Sequence, residues 1–445
     1  MNILIVETVW MGGARYKFLE KTLLTTFSIL PTLQARELAA ITPKRHQVCV
    51  VNERYSQINY DVVYDVVLIN YVTSTAPRAY SIADTFRKKG IPVVLSGFHA
   101  SGLPEEAKQH ADSVLIGRNE AAWVMVLQDL EQKKLQSYYH APLYNISQSL
   151  PPTNVRLPGF IMTGALEATR GCPYHCEFCP ETNIQGGNSY YKRPISEVIE
   201  EIKKIPQKTL MFYDTSLTID PTYTKELFSQ MKGLHKKFFC NGNADVLAKD
   251  KDLVRLSKKA GCIAWLVGFE SLCQDTLDSI GKKTNKVTEY AQTIENIHKN
   301  HMAVIGDFMF GFDSDTPEVF ETTLKAMKEL KIDVADFSIL TPFPGTPLFT
   351  KLDAEKRIQT KDWKYYNMGH VVFSPKQMTP EELLQGVRLM YTEFYRPLYT
   401  IKRIAQNLTR GFYPFFVVVA RNVVATLSAR RLYTVKKNDN KRNED

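Results

Sequence analysis

Cysteine is scarce: seven in 445 residues. So few, and an odd number, do not suggest a disulfide framework. No apolar run reaches the roughly 18 residues of a membrane span, and no internal repeat of solenoid type occurs. Charge of one sign is also lacking over most of the chain. The net charge is +9, yet from Ile401 to Asp445 ten Lys and Arg stand against three acids, so +7 of the excess sits in that tail. A nucleic-acid-binding surface is therefore not expected, whereas a basic tail is. The opening residues MNILIVET have no basic stretch before their short apolar run. They read as a first β-strand rather than a signal peptide, so a cytoplasmic protein with reduced thiols is expected.

What is present is a long α/β pattern. A chain of this length, 44% hydrophobic and 23% charged, implies two globular domains plus an extension. Short β-branched runs at Ile3–Val6, Val48–Val51, Val66–Ile69, Val93–Leu95 and Val114–Ile116 alternate with helical stretches near Lys17–Ala40, Arg78–Lys89, Pro104–Gln109 and Glu120–Glu131. This predicts a doubly wound, Rossmann-like sheet over residues 1–139, with ligands taken beyond the carboxyl ends of its strands. A Pro- and Asn-rich linker over 140–158 follows. A second alternation has strands at Thr163–Thr169, Leu210–Tyr213, Lys237–Cys240, Cys262–Val267, Met302–Met309 and Asp333–Leu340. It predicts a partial (β/α)6 barrel over 159–350 with functional groups at the carboxyl strand ends. Asp220 before Pro221, and Thr316 before Pro317, read as helix starts. Residues 351–445 read as a helical extension, with Thr379 and Glu382 spaced as a capping box.

Three of the seven cysteines, Cys172, Cys176 and Cys179, fall within eight residues in RGCPYHCEFCPET. Thiolates suit zinc, copper(I) and iron–sulfur clusters. Structural zinc takes four protein ligands, usually as two pairs, and here there is no second pair. His175, next to Cys176, is poorly placed to join the same ion. A 4Fe–4S cube needs one external ligand per iron; three cysteines would hold three corners and leave the fourth open. Cys49 and Cys262 lie in apolar strand-like runs and read as small buried hydrophobes.

C-x3-C-x2-C at the end of the first barrel strand resembles the radical S-adenosylmethionine (SAM) superfamily. The resemblance implies an enzyme in which Cys172, Cys176 and Cys179 bind the cluster and SAM chelates the open iron. An electron then cleaves SAM to a 5′-deoxyadenosyl radical that activates an unreactive carbon. An electron donor such as flavodoxin or ferredoxin is implied. Phe178 matches the family's residue beside adenine. FYDTSLT, with Asp214, resembles the second-strand segment that meets the SAM amino group. GFES, with Glu270 and Ser271, resembles the ribose or methionyl motif, and GDFMFGFDSDT, with Gly306, the segment near adenine. Asp313 and Asp315 in that stretch are also candidate helix caps.

A doubly wound domain ahead of such a barrel is similar to the cobalamin-binding subclass, which includes hopanoid-type and magnesium-protoporphyrin-cyclase-type enzymes. Segments Ile69–Gly97 and Leu95–Trp123 carry this likeness. It implies cobalamin near Gly12, Gly13, Thr73, Ser74, Ser96, Gly97 and Gly117. One departure stands out. The subclass signature Asp-x-His-x-x-Gly is replaced by ETVWMGG, so no axial histidine is offered; His99 follows the fourth strand, the wrong loop for that role. The expected reaction is cobalamin-dependent methyl transfer to carbon on a small or lipid-like molecule. The alternatives are a cyclase or oxidoreductase without methyl transfer and, more distantly, a non-enzymatic metal-binding regulatory module. A tRNA methylthiotransferase would need a second cysteine trio, and Cys49 is alone in the N-terminal part. The segment FYPFFVVVA with the arginines after it can lie on an anionic membrane, placing the protein on the inner membrane face, or dock on the core as a helix.

Overall fold

The computed structural model describes residues 1–8, 32–54, 56–117, 119–140, 151–155, 157 and 162–434. Gly12 and Gly13, most of the linker, and the tail beyond Thr434 with Lys436 and Lys437 lie outside the described residues. Two six-stranded sheets organise the α/β fold. In the first, β1 (Asn2–Glu7), β2 (Gln47–Asn52), β3 (Val66–Asn70), β4 (Val93–Ser96), β5 (Ser113–Ile116) and β6 (Tyr138–His140) run in the order β2-β1-β3-β4-β5-β6. Every pair is parallel. β3 and β4 are buried along their whole length, as short β-branched runs covered on both faces should be. The sheet grows first to one side of β1 and then to the other, which opens a crevice beyond β1 and β3. β6 is too short to show as a strand in the sequence. β2 is an edge strand, and Cys49 on it is exposed, not buried as its apolar run suggests.

The second sheet contains β7 (Thr163–Leu166), β10 (Thr209–Phe212), β11 (Lys237–Asn241), β12 (Cys262–Glu270), β13 (Ala303–Phe310) and β14 (Val334–Ile339), parallel and in sequential order. A small antiparallel ribbon, β8 (Thr169–Arg170) with β9 (Tyr191–Lys192), follows β7. Helices cover the outer face, where Trp265, Phe308 and Phe337 join a large apolar core. Asp220 caps its helix by accepting from the N–H groups of Thr222 and Tyr223. Thr316 does not cap: the helix begins at Val319 with Glu318 as N-cap, and Pro317 lies in the preceding turn. Asp315 instead accepts from the N–H groups of Gly311 (2.9 Å) and Phe312 (3.1 Å), and Asp313 binds Arg357, Lys351 and Lys376.

The last three helices, Pro380–Phe394, Pro397–Leu408 and Phe412–Thr434, close the molecule. Thr379 and Glu382 form the expected reciprocal cap. The helix Phe412–Thr434 packs on the inner face of the barrel sheet, where Val418 meets Ala264, Ala303, Ile305 and Val334. Asp333 fixes this arrangement, accepting from Asn407 Nδ2 (2.8 Å) and Arg410 (2.6 Å), with His298 Nε2 at 2.9 Å. Of the two sequence readings of this segment, docking on the core is the one observed. No helix among the described residues is long and apolar enough to cross a membrane.

Candidate active site

The cysteine loop leaves β8 at Gly171, which has φ +81°. A Cβ there would lie 1.8 Å from the Ser189 carbonyl oxygen, so only glycine fits. The Cys172 N–H donates to the Gly187 carbonyl (3.1 Å), and that of Cys179 to the Cys176 carbonyl (3.1 Å). Asn183 Nδ2 donates to the carbonyls of Cys176 (3.2 Å) and Cys179 (2.7 Å). The Glu177 N–H reaches the Ile280 carbonyl at 3.2 Å, tying the loop to the end of the helix Gln274–Ser279 that follows β12. Backbone contacts and the Asn183 side chain thus set the loop's shape.

Burial pushes all three thiols up, Cys176 to about 11, and Lys282 pulls each back toward thiolate. Lys282 was not singled out by the sequence because its KK pair matches no motif. Its Nζ lies 2.8 Å from Glu270 Oε1. Burial disfavours its charge, but Glu270 and the neighbouring thiols outweigh that and raise it. Three thiols that sense one another beside a held cation suit an iron–sulfur cluster. Among the described residues no three His, Cys, Asp or Glu side chains gather to hold a single metal ion.

On its other side the loop is anchored by Arg170. The guanidinium is bound by Glu37 (2.7 Å) and Glu120 of the first sheet's helices and by Glu167 (2.7 Å) after β7. All four side chains are nearly enclosed. The cysteine loop is therefore fixed between the two domains. Tyr213, at the end of β10, is pushed up by burial and by Glu7 at the end of β1. The strand ends of both sheets thus face one region.

The other residues named from the sequence sort by what they touch. Glu270 has φ +62° at a register shift in β12 and holds Lys282. Ser271 is buried, its Oγ accepting from the Cys273 N–H at 3.1 Å. Phe178 is half-buried and packs against the barrel core. Asp214 is fully buried and commits its carboxylate to Ala168 N (3.2 Å) and to Thr169 N and Oγ1 (2.7 Å). Burial, then Glu167, raises it to about 7 against those hydrogen bonds. It braces the strand that leads into the loop and offers no free oxygen. Gly306 faces the outer core: a Cβ there would meet Phe269 and Phe308 at 3.1 Å. The glycine on the inner wall is Gly268, whose Cβ would lie 2.6 Å from Glu270 Oε1.

At the first sheet, Thr73 and Ser96 are buried and Ser74 half-buried. Ser96 Oγ lies 3.3 Å from Asn70 Oδ1. Gly97 has φ +113°, and a Cβ there would strike the Tyr71 carbonyl oxygen at 2.2 Å. At Gly117 the conflict would be with the Gln185 carbonyl oxygen at 2.8 Å. Both glycines therefore answer to the protein's own chain. His99 is fully buried among Tyr71, Tyr80 and Trp363, its Nε2 3.2 Å from Glu106 Oε1. It does not reach the crevice.

A three-thiol loop at the carboxyl ends of an open β/α barrel, clamped against a doubly wound sheet, defines an α/β protein whose thiols suit an iron–sulfur cluster between two sheets. Comparison with known proteins narrows this class. The model of the radical SAM superfamily matches residues 166–327. The bacteriochlorophyllide d C-12(1)-methyltransferase of Chlorobaculum tepidum is 32% identical over 359 residues, 77% of each chain. The C-8(2)-methyltransferase of the same organism is 30% identical over 401 residues, 84% of this chain and 88% of its own. The radical SAM methyltransferase TsrM of Kitasatospora setae, solved with cobalamin and a [4Fe–4S] cluster, shares the fold at TM-score 0.67 and 13% identity, covering 96% of this chain and 99% of that one. The chain belongs to the radical SAM superfamily, and with it come a 4Fe–4S cluster and SAM as cofactors.

Proposed function

We propose that the protein is a cobalamin-dependent C-methyltransferase acting on a small or lipid-like apolar molecule. The observation that carries this is the Arg170 clamp, which sets the cysteine loop against the carboxyl ends of the doubly wound sheet. A cofactor in that crevice faces one on the loop. When bound, the cluster supplies the electron that cleaves SAM, and cobalamin supplies a carrier for the methyl group. Cys172, Cys176 and Cys179 hold the cluster, and Lys282 offsets their thiolate charge. In this reading Glu270, Ser271 and Phe178, on and beside the loop's barrel side, would contact SAM. The crevice fits a corrinoid held by hydrogen bonds and packing: the Tyr213 hydroxyl makes no hydrogen bond among the described residues, and Glu7 is half-buried beside Thr32 and Asn52. Among the described residues it presents no imidazole. The relatives that methylate a bacteriochlorophyllide support an apolar substrate.

Two further contacts complete the reading. Reduction needs a small electron-transfer protein such as a flavodoxin or ferredoxin. Exposed Leu398, Ile401, Leu408 and Phe412, beside exposed Lys402, support peripheral contact with an anionic membrane.

The test is anaerobic purification, reconstitution with iron and sulfide, and spectroscopy with cobalamin and SAM. Retained corrinoid and methyl incorporation from labelled SAM are expected. Failure to retain corrinoid overturns the methyltransferase assignment. SAM cleavage without methyl incorporation moves the protein to the cyclase or oxidoreductase class.

A further inference from the structure

We infer that Asp307 is the substrate-recognition point of the barrel interior, accepting an amine or heterocyclic N–H of the substrate, with Asp336 and Arg421 as the wall beside it. The inference rests on the function proposed above and names the chemistry of the group that the site grips.

Strand parity places Asp307 on the inner face. Along β13, Val304, Phe308 and Phe310 join the outer core, so Ala303, Ile305 and Asp307 point the other way. The lower part of that face is sealed by Val418 of the last helix. Above the seal the inward positions of β12–β14 keep accessible surface while their outward neighbours are buried. Asp336 and Arg421 retain 37% and 31% of their side-chain surface even though the helix crosses beside them. The inner wall therefore borders open space below the cysteine loop.

Register fixes where Asp307 stands in that space. It pairs with Gly268 on one side and Asp336 on the other. The spot above Gly268 is filled by the Lys282–Glu270 pair, Nζ lying 3.3 Å from where a Cβ would be. Lys282 in turn is close enough to act on all three cluster thiols. Asp307 is thus one strand, about 4.8 Å, from the floor of the cofactor site.

The charges there do not balance. Lys282 is bonded to Glu270, and Arg421 to Asp336. Asp307 makes no hydrogen bond or ion pair among the described residues and stays partly accessible on the inner face. Burial, then Asp336 and Glu270, drives its carboxyl up, against Arg421 and Lys282. Enclosed acids that serve structure are paired. An unpaired one facing open space next to the reaction centre is suited to a ligand that brings the missing donor.

The test uses the full-length, anaerobically reconstituted protein and three probes of one shape: 4-phenylbutylamine, 4-phenylbutanol and 4-phenyl-2-butanone. Calorimetric titration is expected to show the amine binding about tenfold more tightly than the alcohol, with Asp307→Asn reducing that preference below about threefold. Asp307→Glu, which keeps the charge, is expected to retain part of it. Equal affinities, preference for the ketone, no saturable amine binding, or an amine preference that survives in Asp307→Asn overturns the inference. If Asp307→Asn does not fold, the wild-type comparison among probes still decides. Formation of 5′-deoxyadenosine by the reduced wild type, measured on the same preparation, reports separately on the proposed function. Cleavage without amine preference sinks only this inference, and amine preference without cleavage sinks only the other.

Discussion

Two cations bracket the cysteine loop, and the protein treats them differently. Arg170, on the side of the doubly wound sheet, is answered by three carboxylates and keeps only 6% of its side-chain surface. Lys282, on the side of the barrel, is answered by one carboxylate and stands beside three thiols. The first cation is answered by protein carboxylates, so its work is mechanical: it joins the two sheets through the residue that precedes the loop. The second is neutral with Glu270 alone and falls short of positive charge once thiolates form. A charge whose partners are all protein holds the fold, and one whose partners fall short marks where a ligand is expected.

The largest effect separates the loop from its clamps. Because backbone contacts and Asn183 set the loop's shape, Cys176→Ala should leave the melting temperature within a few degrees of wild type. It should nevertheless abolish stable iron binding and 5′-deoxyadenosine formation. Iron assay and thermal melting of the same sample check this, and joint loss of both would show that the loop depends on its metal. Next comes Arg170→Met. It leaves Glu37, Glu120 and Glu167 buried without their cation, a loss of about 3–5 kcal/mol. Urea unfolding should lose its single transition as the two sheets part. Lys282→Met strands one acid rather than three, and Glu270 can take up a proton, so the loss should be nearer 1–3 kcal/mol, roughly that of an unsatisfied buried group. Its distinguishing mark is poorer iron retention than that loss of stability accounts for. The contrast between the cations collapses if Lys282→Met destabilises more than Arg170→Met.

The same contrast explains what the sequence made legible. Strands such as Val66–Asn70 were readable because burial on both faces leaves a run of β-branched residues. The cysteine loop drew notice because its three thiols lie within eight residues. What escaped depends on partners distant in sequence or on direction. Glu37 lies 133 residues before Arg170. Gly306 and Gly268 look alike as strand glycines, yet only the closed sheet reveals that one faces Phe269 and the other Lys282. Asp214 lies in a motif segment, but its oxygens are taken by Thr169 and Ala168, 45 and 46 residues earlier. Asp307 lies in the quoted segment GDFMFGFDSDT but was not singled out, since a lone acid in an apolar strand becomes notable only when its neighbours prove to have other partners.

The smallest effect tests whether partner number or burial sets the size of such a loss. Asp313 mirrors Arg170 with the signs reversed: one acid bonded to Arg357 (2.7 Å), Lys376 (3.1 Å) and Lys351 (3.2 Å). Its side chain, however, is 32% exposed. Burial raises its carboxyl, but the three cations outweigh that and bring it to about 2. The folded value lies below the ordinary 3.8, so the stabilisation is present above about pH 4 and disappears as the pH falls toward 2. Water screens these bonds, and Asp313→Asn should cost only about 0.5–1 kcal/mol at neutral pH. Urea midpoints of wild type and variant should differ at pH 7 and converge near pH 2–3. A loss at pH 7 as large as that of Arg170→Met would mean that partner number alone governs, and that the enclosed position of Arg170 adds nothing.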